Sequence, residues 1–202
     1  MKLYTHATPS HERMLREFLI PSAIEFELRI GQSEQSGSGI CGRKDFGASE
    51  RGKVESMYRA SLEPEGSIVL WCDADVQFFR PCVSRLIELL GDNDLAAQQA
   101  NHELCAGFYV FRCNRRTRNL FDIILHDDIS KYTNADQESL NIHKHLVRHR
   151  MLPIEEFWTV GPCKKVEIPY GIRIHHANWC RLDNKIRLLK RVRNIVRSQR
   201  SS

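Results

Sequence analysis

Apolar positions in this chain fall into short runs or period-two alternations separated by stretches in which they recur every three to four residues. Met1 to Thr8 reads as a strand closed by Pro9, and Ser10 is placed to cap a helix whose Met14, Leu15, Phe18 and Leu19 share one face. Ile24 to Ile30 alternates strictly and predicts a second strand. Residues 31–48 are rich in Gly, Ser and Gln without periodicity, a loop long enough to be functional or mobile. Val54, Met57, Tyr58 and Leu62 then mark a helical face, and Pro64-Glu65-Gly66 turns the chain into the apolar run Ser67 to Cys72. Pro81 opens a helix with Val83, Leu86, Ile87 and Leu90 inward and Gly91 as its cap. Strands follow at Leu95 to Gln98 and Gly107 to Arg112, and Leu120, Phe121, Ile124 and Leu125 mark a further helix. Asn134 with Gln137 three residues on resembles a capping box, and Ile172-Arg173-Ile174 is a last strand that ends in His175-His176. Strands alternating with helices predict an α/β fold with a mainly parallel central sheet.

The run Ser67 to Cys72 has the unbroken apolar character of a strand buried on both faces, and it stops at Asp73-Ala74-Asp75. Ligands in open α/β sheets bind beyond the carboxyl ends of strands. Two carboxylates held together there repel unless a cation lies between or beside them, and hard oxygen ligands suit Mg²⁺ or Mn²⁺. The plain alternative is a solvated Asp-x-Asp turn. Three other features stand where a metal-diphosphate site would want them. His175-His176-Ala177-Asn178-Trp179 closes a distant strand and offers an imidazole, or else is a surface histidine pair. Asn134 to Asn141 either caps a helix with dipole-favoured acids or points Asp136 and Gln137 at a ligand. Lys185 is a cation for phosphate, or one more residue of a basic tail.

Taken in chain order, these motifs resemble the retaining GT-A glycosyltransferases, in particular the nucleotide-diphospho-sugar transferase family and its lipopolysaccharide galactosyltransferase and glycogenin-type relatives. The resemblance is carried by Thr5-His6-Ala7, Arg51 with Lys53, Trp71 to Asp75, Cys105 to Phe111, Asp136-Gln137-Glu138-Ser139-Leu140-Asn141 and His176-Ala177-Asn178-Trp179. It covers roughly residues 1–185. Two departures are visible. Cys105-Ala106-Gly107 stands where relatives often carry Asn-Ser-Gly or Asn-Thr-Gly, and Leu182-Asp183 stands where a glycine is common before the lysine.

The resemblance implies a single Rossmann-like domain, residues 1–183, that binds a nucleoside-diphosphate sugar, with UDP as the expected nucleotide. Thr5, His6 and Ala7 would line the base and ribose pocket with Arg51 or Lys53 nearby. Asp73, Asp75 and His176 would hold Mn²⁺ or Mg²⁺, Lys185 would face the diphosphate, and Gly107 would let the backbone approach the sugar. Asp136 and Gln137 would sit at the anomeric carbon. The acceptor would be a glycan, a lipid or nucleic acid.

Composition narrows the alternatives. With 202 residues the chain has the length of one domain, and no stretch of eighteen apolar residues exists. Seven cysteines without a C-x-x-C pair fit free thiols and a cytoplasmic location better than a disulfide framework. The net charge of +5 is uneven: seven basic residues and no acidic one follow Asn184, which leaves residues 1–183 at −2. Residues 184–202 therefore form a basic segment, and its Ile186, Leu189, Val192 and Val196 make an apolar stripe. The stripe suits an interfacial helix on an anionic membrane surface, or a helix packed on the domain with its basic face solvated. Two rival functions remain at this point. A phosphohydrolase or nuclease could use Asp73, Asp75 and His176, and a membrane- or DNA-binding module could act through the tail.

Overall fold

A computed structural model describes residues 1–34, 46–159, 167–178 and 182–201. Most of the expected loop 31–48, together with Cys41, Cys163, Trp179 and Cys180, lies outside the described residues. A six-stranded sheet forms the centre, in the order β2-β1-β3-β6-β5-β7. Its strands are β1 (Lys2–Ala7), β2 (Glu27–Gln32), β3 (Ile68–Cys72), β5 (Leu95–Ala100), β6 (Glu103–Arg112) and β7 (His149–Met151). Pairing is parallel for β1 with β2, β1 with β3 and β5 with β7, and only β6 runs against its neighbours. The sheet is mainly parallel, as expected.

Alternation along β3 explains why its residues are apolar without interruption. Leu70 and Cys72 enter one core with Leu3, Val110 and Leu86, whereas Val69 and Trp71 enter another with Met57, Tyr109 and Phe121. Helices cover both faces. The first helical segment, α1 (residues 12–22), buries Met14, Leu15, Phe18 and Leu19, with a π-helical stretch over Leu15–Leu19. Ser10 does not cap it: the N-cap is His11, without a side-chain bond, and the Ser10 hydroxyl instead meets Thr8 Oγ1 and His11 Nδ1. Next come α2 (Phe46–Ser61), α3 (Val83–Leu90), α4 (Arg115–His126) and α5 (Ala135–His143). In α3, Leu86, Leu89 and Leu90 are the buried residues and Ile87 is exposed, one position off the expected face.

Other boundaries shift for local reasons. Ile24 is exposed and β2 begins only at Glu27, because the chain is still leaving α1 through a turn. Asn114 caps α4 by accepting from the Arg116 and Thr117 amides, while the Thr117 hydroxyl accepts from the Asn114 amide. The box expected at Asn134 and Gln137 is not formed in that way. It is the Glu138 carboxylate that accepts the Asn134 amide proton.

A second, three-stranded sheet, β4-β9-β8, is built from β4 (Val76–Phe78), β8 (Phe157–Thr159) and β9 (Ile174–His176). It explains how residues a hundred positions apart meet. β4 starts directly after Asp75 and pairs antiparallel with β9, setting Val76 opposite His176, and the Ala177 amide donates to the Asp75 carbonyl at 3.1 Å.

The last helix, α6 (Leu182–Ser201), lies against the body. Leu189 packs with Met14, Phe18 and Ala177, and Val192 and Val196 pack with Trp158 and Ile172. The apolar stripe is thus buried in the protein, and no helix among the described residues is long and apolar enough to cross a membrane.

Candidate active site

Asp73 and Asp75 follow the carboxyl end of β3, and the irregular β6 shapes the floor beneath them. The Asp73 amide donates to the Gly107 carbonyl at 2.8 Å. Between β5 and β6 the register breaks: Ala97 pairs with Tyr109 and Gln99 with Leu104, so residues 105–108 face Gln98 alone. Such a bulge re-aims side chains next to a site. Here it brings Gly107 under the acids and the histidine. A Cβ on Gly107 would fall 2.6 Å from Asp73 Oδ2 and 2.9 Å from His176 Nε2, so only glycine fits.

Asp73, Asp75 and His176 each present one ligand atom within 4.8 Å of the others. His176 is buried within β9, not a surface residue, and so is His175. The His176 Nδ1 lies 2.8 Å from Gln98 Oε1, and its Nε2 lies 3.3 Å from Asp75 Oδ1 and 3.9 Å from Asp73 Oδ2. Asp75 Oδ1 is fully buried yet has no hydrogen-bond partner, because the histidine approaches it without hydrogen-bond geometry. An orphaned carboxylate oxygen beside an imidazole nitrogen and a second carboxylate is a donor set that a hard divalent cation fits.

The mutual repulsion of the acids is relieved by cations on either side. Lys185 Nζ is 2.6 Å from Asp75 Oδ2, and Lys53 Nζ is 2.9 Å from Asp73 Oδ1 and 3.0 Å from Asp136 Oδ2. Burial works against the charge of Asp75, but Lys185 and His176 hold its carboxyl well below the usual range. Burial also disfavours the imidazolium of His176, yet Asp75 and then Cys105 push it up to about 10. Lys53 is raised in the same way, against burial, by Asp136, Asp73 and Glu50. Burial pushes Glu50 up to about 7 and raises Asp136, both sharing the one lysine.

Asp136 and Gln137 are buried at the start of α5, where Ala135 takes the left-handed φ of 40°. Asn141, one helical turn on, ties this helix to β6: its amide accepts from the Leu104 N–H at 3.0 Å and donates to the Leu104 carbonyl at 2.8 Å. Thr5 is buried with its hydroxyl unpaired, and Ala7 is buried at the end of β1. The His6 ring is held between hydroxyls, Nδ1 3.0 Å from Ser56 Oγ and Nε2 2.9 Å from Ser33 Oγ.

Of the residues expected from sequence, Asp73, Asp75, His176, Lys185, Lys53, Asp136 and Gly107 are brought together. Arg51 is exposed on α2. Three neighbours were missed. Glu50 lies 3.5 Å from Lys53, His11 is pushed down to about 4 by burial and then by Lys185, and Gln98 meets His176. Glu50 could have been found, since it lies three residues before Lys53 on the same helix. Nothing local in the sequence marks the other two.

A mainly parallel sheet with paired acids at a central strand end, and a late histidine and lysine closing on them, defines a GT-A nucleotide-sugar transferase fold. The profile of the nucleotide-diphospho-sugar transferase family matches residues 58–189, more than half of the chain, and the chain belongs to that family. Solved structures agree in fold. A glycosyltransferase involved in glycosylation of the major capsid of PBCV-1 superposes with a TM-score of 0.63 at 9% identity, covering 94% of this chain and 99% of that one. The galactosyltransferase LgtC, in complex with donor and acceptor sugar analogs, gives 0.55 at 13% identity over 94% and 95%. The glycosyltransferase GlyE of Streptococcus pneumoniae TIGR4 gives 0.60 at 16% identity over 89% of this chain, which spans only 54% of that protein. No curated protein sequence gives a significant match.

Proposed function

We propose that this protein is a divalent-metal-dependent glycosyltransferase that moves a sugar from a nucleoside-diphosphate donor, UDP-linked, to an acceptor hydroxyl with retention. The observation that carries this reading is the convergence of Asp73, Asp75 and His176 on one point, with Asp75 Oδ1 left unpaired. These three residues would hold Mn²⁺ or Mg²⁺, and the metal when bound supplies Lewis-acid stabilisation of the charge on the departing diphosphate. Lys185 adds a second positive charge at the same mouth. Thr5, His6 and Ala7, on β1 beside the site, would line the nucleotide pocket. Gly107 lets Asp73 and His176 close together beside it, and Lys53 with Asp136 orients the hydroxyls of the sugar. Gln137, at the head of α5, stabilises positive charge developing at the anomeric carbon through its carbonyl dipole.

Family membership favours this over hydrolysis of phosphates. Burial of the stripe on α6 leaves only its basic face for an anionic acceptor or surface, whether glycan, lipid headgroup or DNA phosphate. The test is a panel of UDP- and GDP-sugars with Mn²⁺, read by calorimetry and by slow donor hydrolysis. Metal-dependent binding of a UDP-sugar is expected, and failure to bind any nucleotide sugar in the presence of metal would sink the proposal.

A further inference from the structure

Gln98 is fully buried on β5, in a run where Leu95, Ala96, Ala97 and Ala100 are also buried and none is polar. An amide placed there is costly unless both of its ends are satisfied. Both are. Its Nε2 donates to the Phe157 carbonyl of β8 at 3.0 Å, and its Oε1 lies 2.8 Å from His176 Nδ1. The first bond settles the second. A flipped amide would set Oε1 against the Phe157 carbonyl, two acceptors facing each other, so the oxygen must point to the histidine. An oxygen that only accepts requires Nδ1 to carry the proton.

We propose that Gln98 is a positioning residue for His176: its amide oxygen holds the proton on Nδ1 and turns Nε2, the nitrogen that a metal would use, toward Asp73 and Asp75. The inference rests on the metal-dependent reading above. In the opposite tautomer Nε2 would bear a proton and could not ligate, and a ring without this bond could turn away from the acids. The Cys105 sulfur also lies near Nδ1, but at 3.7 Å, and the Gly107 amide already donates to it at 3.4 Å, so Gln98 is the nearer anchor. The backbone supports this role. The register break leaves Gln98 opposite the whole 105–108 bulge, and β8 and β9 are paired with Phe157 beside Ile174, two residues before His176. One amide thus ties three strands from two sheets to the orientation of a single ring.

The test is the affinity for Mn²⁺ alone, read from free Mn²⁺ by electron paramagnetic resonance, in the wild type, Gln98→Met, Gln98→Glu and His176→Ala. Losing an outer partner of a histidine ligand weakens metal binding by about 10–100-fold, which is the expected effect of Gln98→Met. Gln98→Glu should recover most of that loss, because its carboxyl accepts from Nδ1–H whether or not it is protonated. If Gln98→Met fails to fold by circular dichroism, Gln98→Asn, one methylene too short to span both partners, gives the same reading. Wild-type Mn²⁺ affinity in Gln98→Met or Gln98→Asn, with binding lost in His176→Ala, would overturn the positioning role and leave the metal reading intact. A Gln98→Glu variant as weak as Gln98→Met would also overturn it, since the acceptor would not matter. Equal binding by wild type and His176→Ala would remove the metal reading and this inference with it.

Discussion

Replacing Gly107 with alanine is the sharpest probe of how tightly the site is built. The added Cβ would lie 2.6 Å from Asp73 Oδ2 and 2.9 Å from His176 Nε2, and nearer still to His176 Cε1. Ordinary contact begins at 3.4 Å, so Asp73 would have to retreat by about 0.8 Å, and His176, whose Cε1 is nearer still, by more than that. Neither can move freely. Asp73 is held by Lys53 and its own backbone bond, and His176 is buried within β9 and bonded to Gln98. Overpacking of this kind costs about 1–3 kcal/mol of stability, which leaves the fold standing. A misplacement of about 1 Å among reacting groups costs on the order of 10²-fold in rate. The expected result of Gly107→Ala is therefore a folded protein with Mn²⁺ binding weakened and turnover down by about two orders of magnitude. Calorimetric Mn²⁺ titration and donor hydrolysis read it, with Gly66→Ala, whose site is open but whose φ is +82°, as a control that strains a turn only. Wild-type Mn²⁺ affinity and rate in Gly107→Ala would show that Asp73 and His176 are not held tightly against this position.

Gln137→Ala should lower kcat by up to about 10²–10³ while donor affinity holds, as expected of a group that acts on charge developing in the transition state; weaker donor binding at unchanged kcat would reassign it to substrate positioning. Leu189→Ala, at a fully buried position against Met14 and Phe18, should destabilise by about 2–5 kcal/mol in urea unfolding, whereas a solvated tail would show no change. Burial disfavours the charge of Asp94, but bonds from Arg116, the Arg148 amide and Asn114 hold its carboxyl down at about 2, against an ordinary 3.8. A depressed folded-state value contributes stability above pH 3.8 that is lost as pH falls from there toward 2, about 2 kcal/mol for this shift. Unfolding of Asp94→Asn should therefore differ from wild type by more at pH 7 than near pH 2, and a constant difference would contradict the assignment.

Much of the site could be read in the sequence because chemistry interrupts hydrophobicity at the end of a strand. An apolar run that stops at Asp73 and Asp75 is visible without any structure, and His176 is visible as the end of another strand. What brings them together is not visible, because β4 and β8 are three residues each and β8, Phe157–Thr159, is too short to carry an alternation. Gln98 was legible only as the last residue of an apolar run, since its role comes from a register break with a strand of its own sheet. The stripe on α6 reads alike whether lipid or protein covers it, as the period of a helix carries no information about its partner. At Ile87 the expected face was off by one residue because Leu89 and Leu90, not Ile87, meet the sheet.

In the proposed function, Asp75 holds a metal that in turn holds the donor diphosphate. Calorimetric titration of UDP into wild type and Asp75→Asn, each with and without Mn²⁺, tests it most directly, with metal-free unfolding measured alongside because the substitution also strips Lys185 of its buried partner. Mn²⁺ should strengthen UDP binding in the wild type and leave it unchanged in a folded Asp75→Asn. Equal strengthening by Mn²⁺ in both proteins would contradict this role of Asp75.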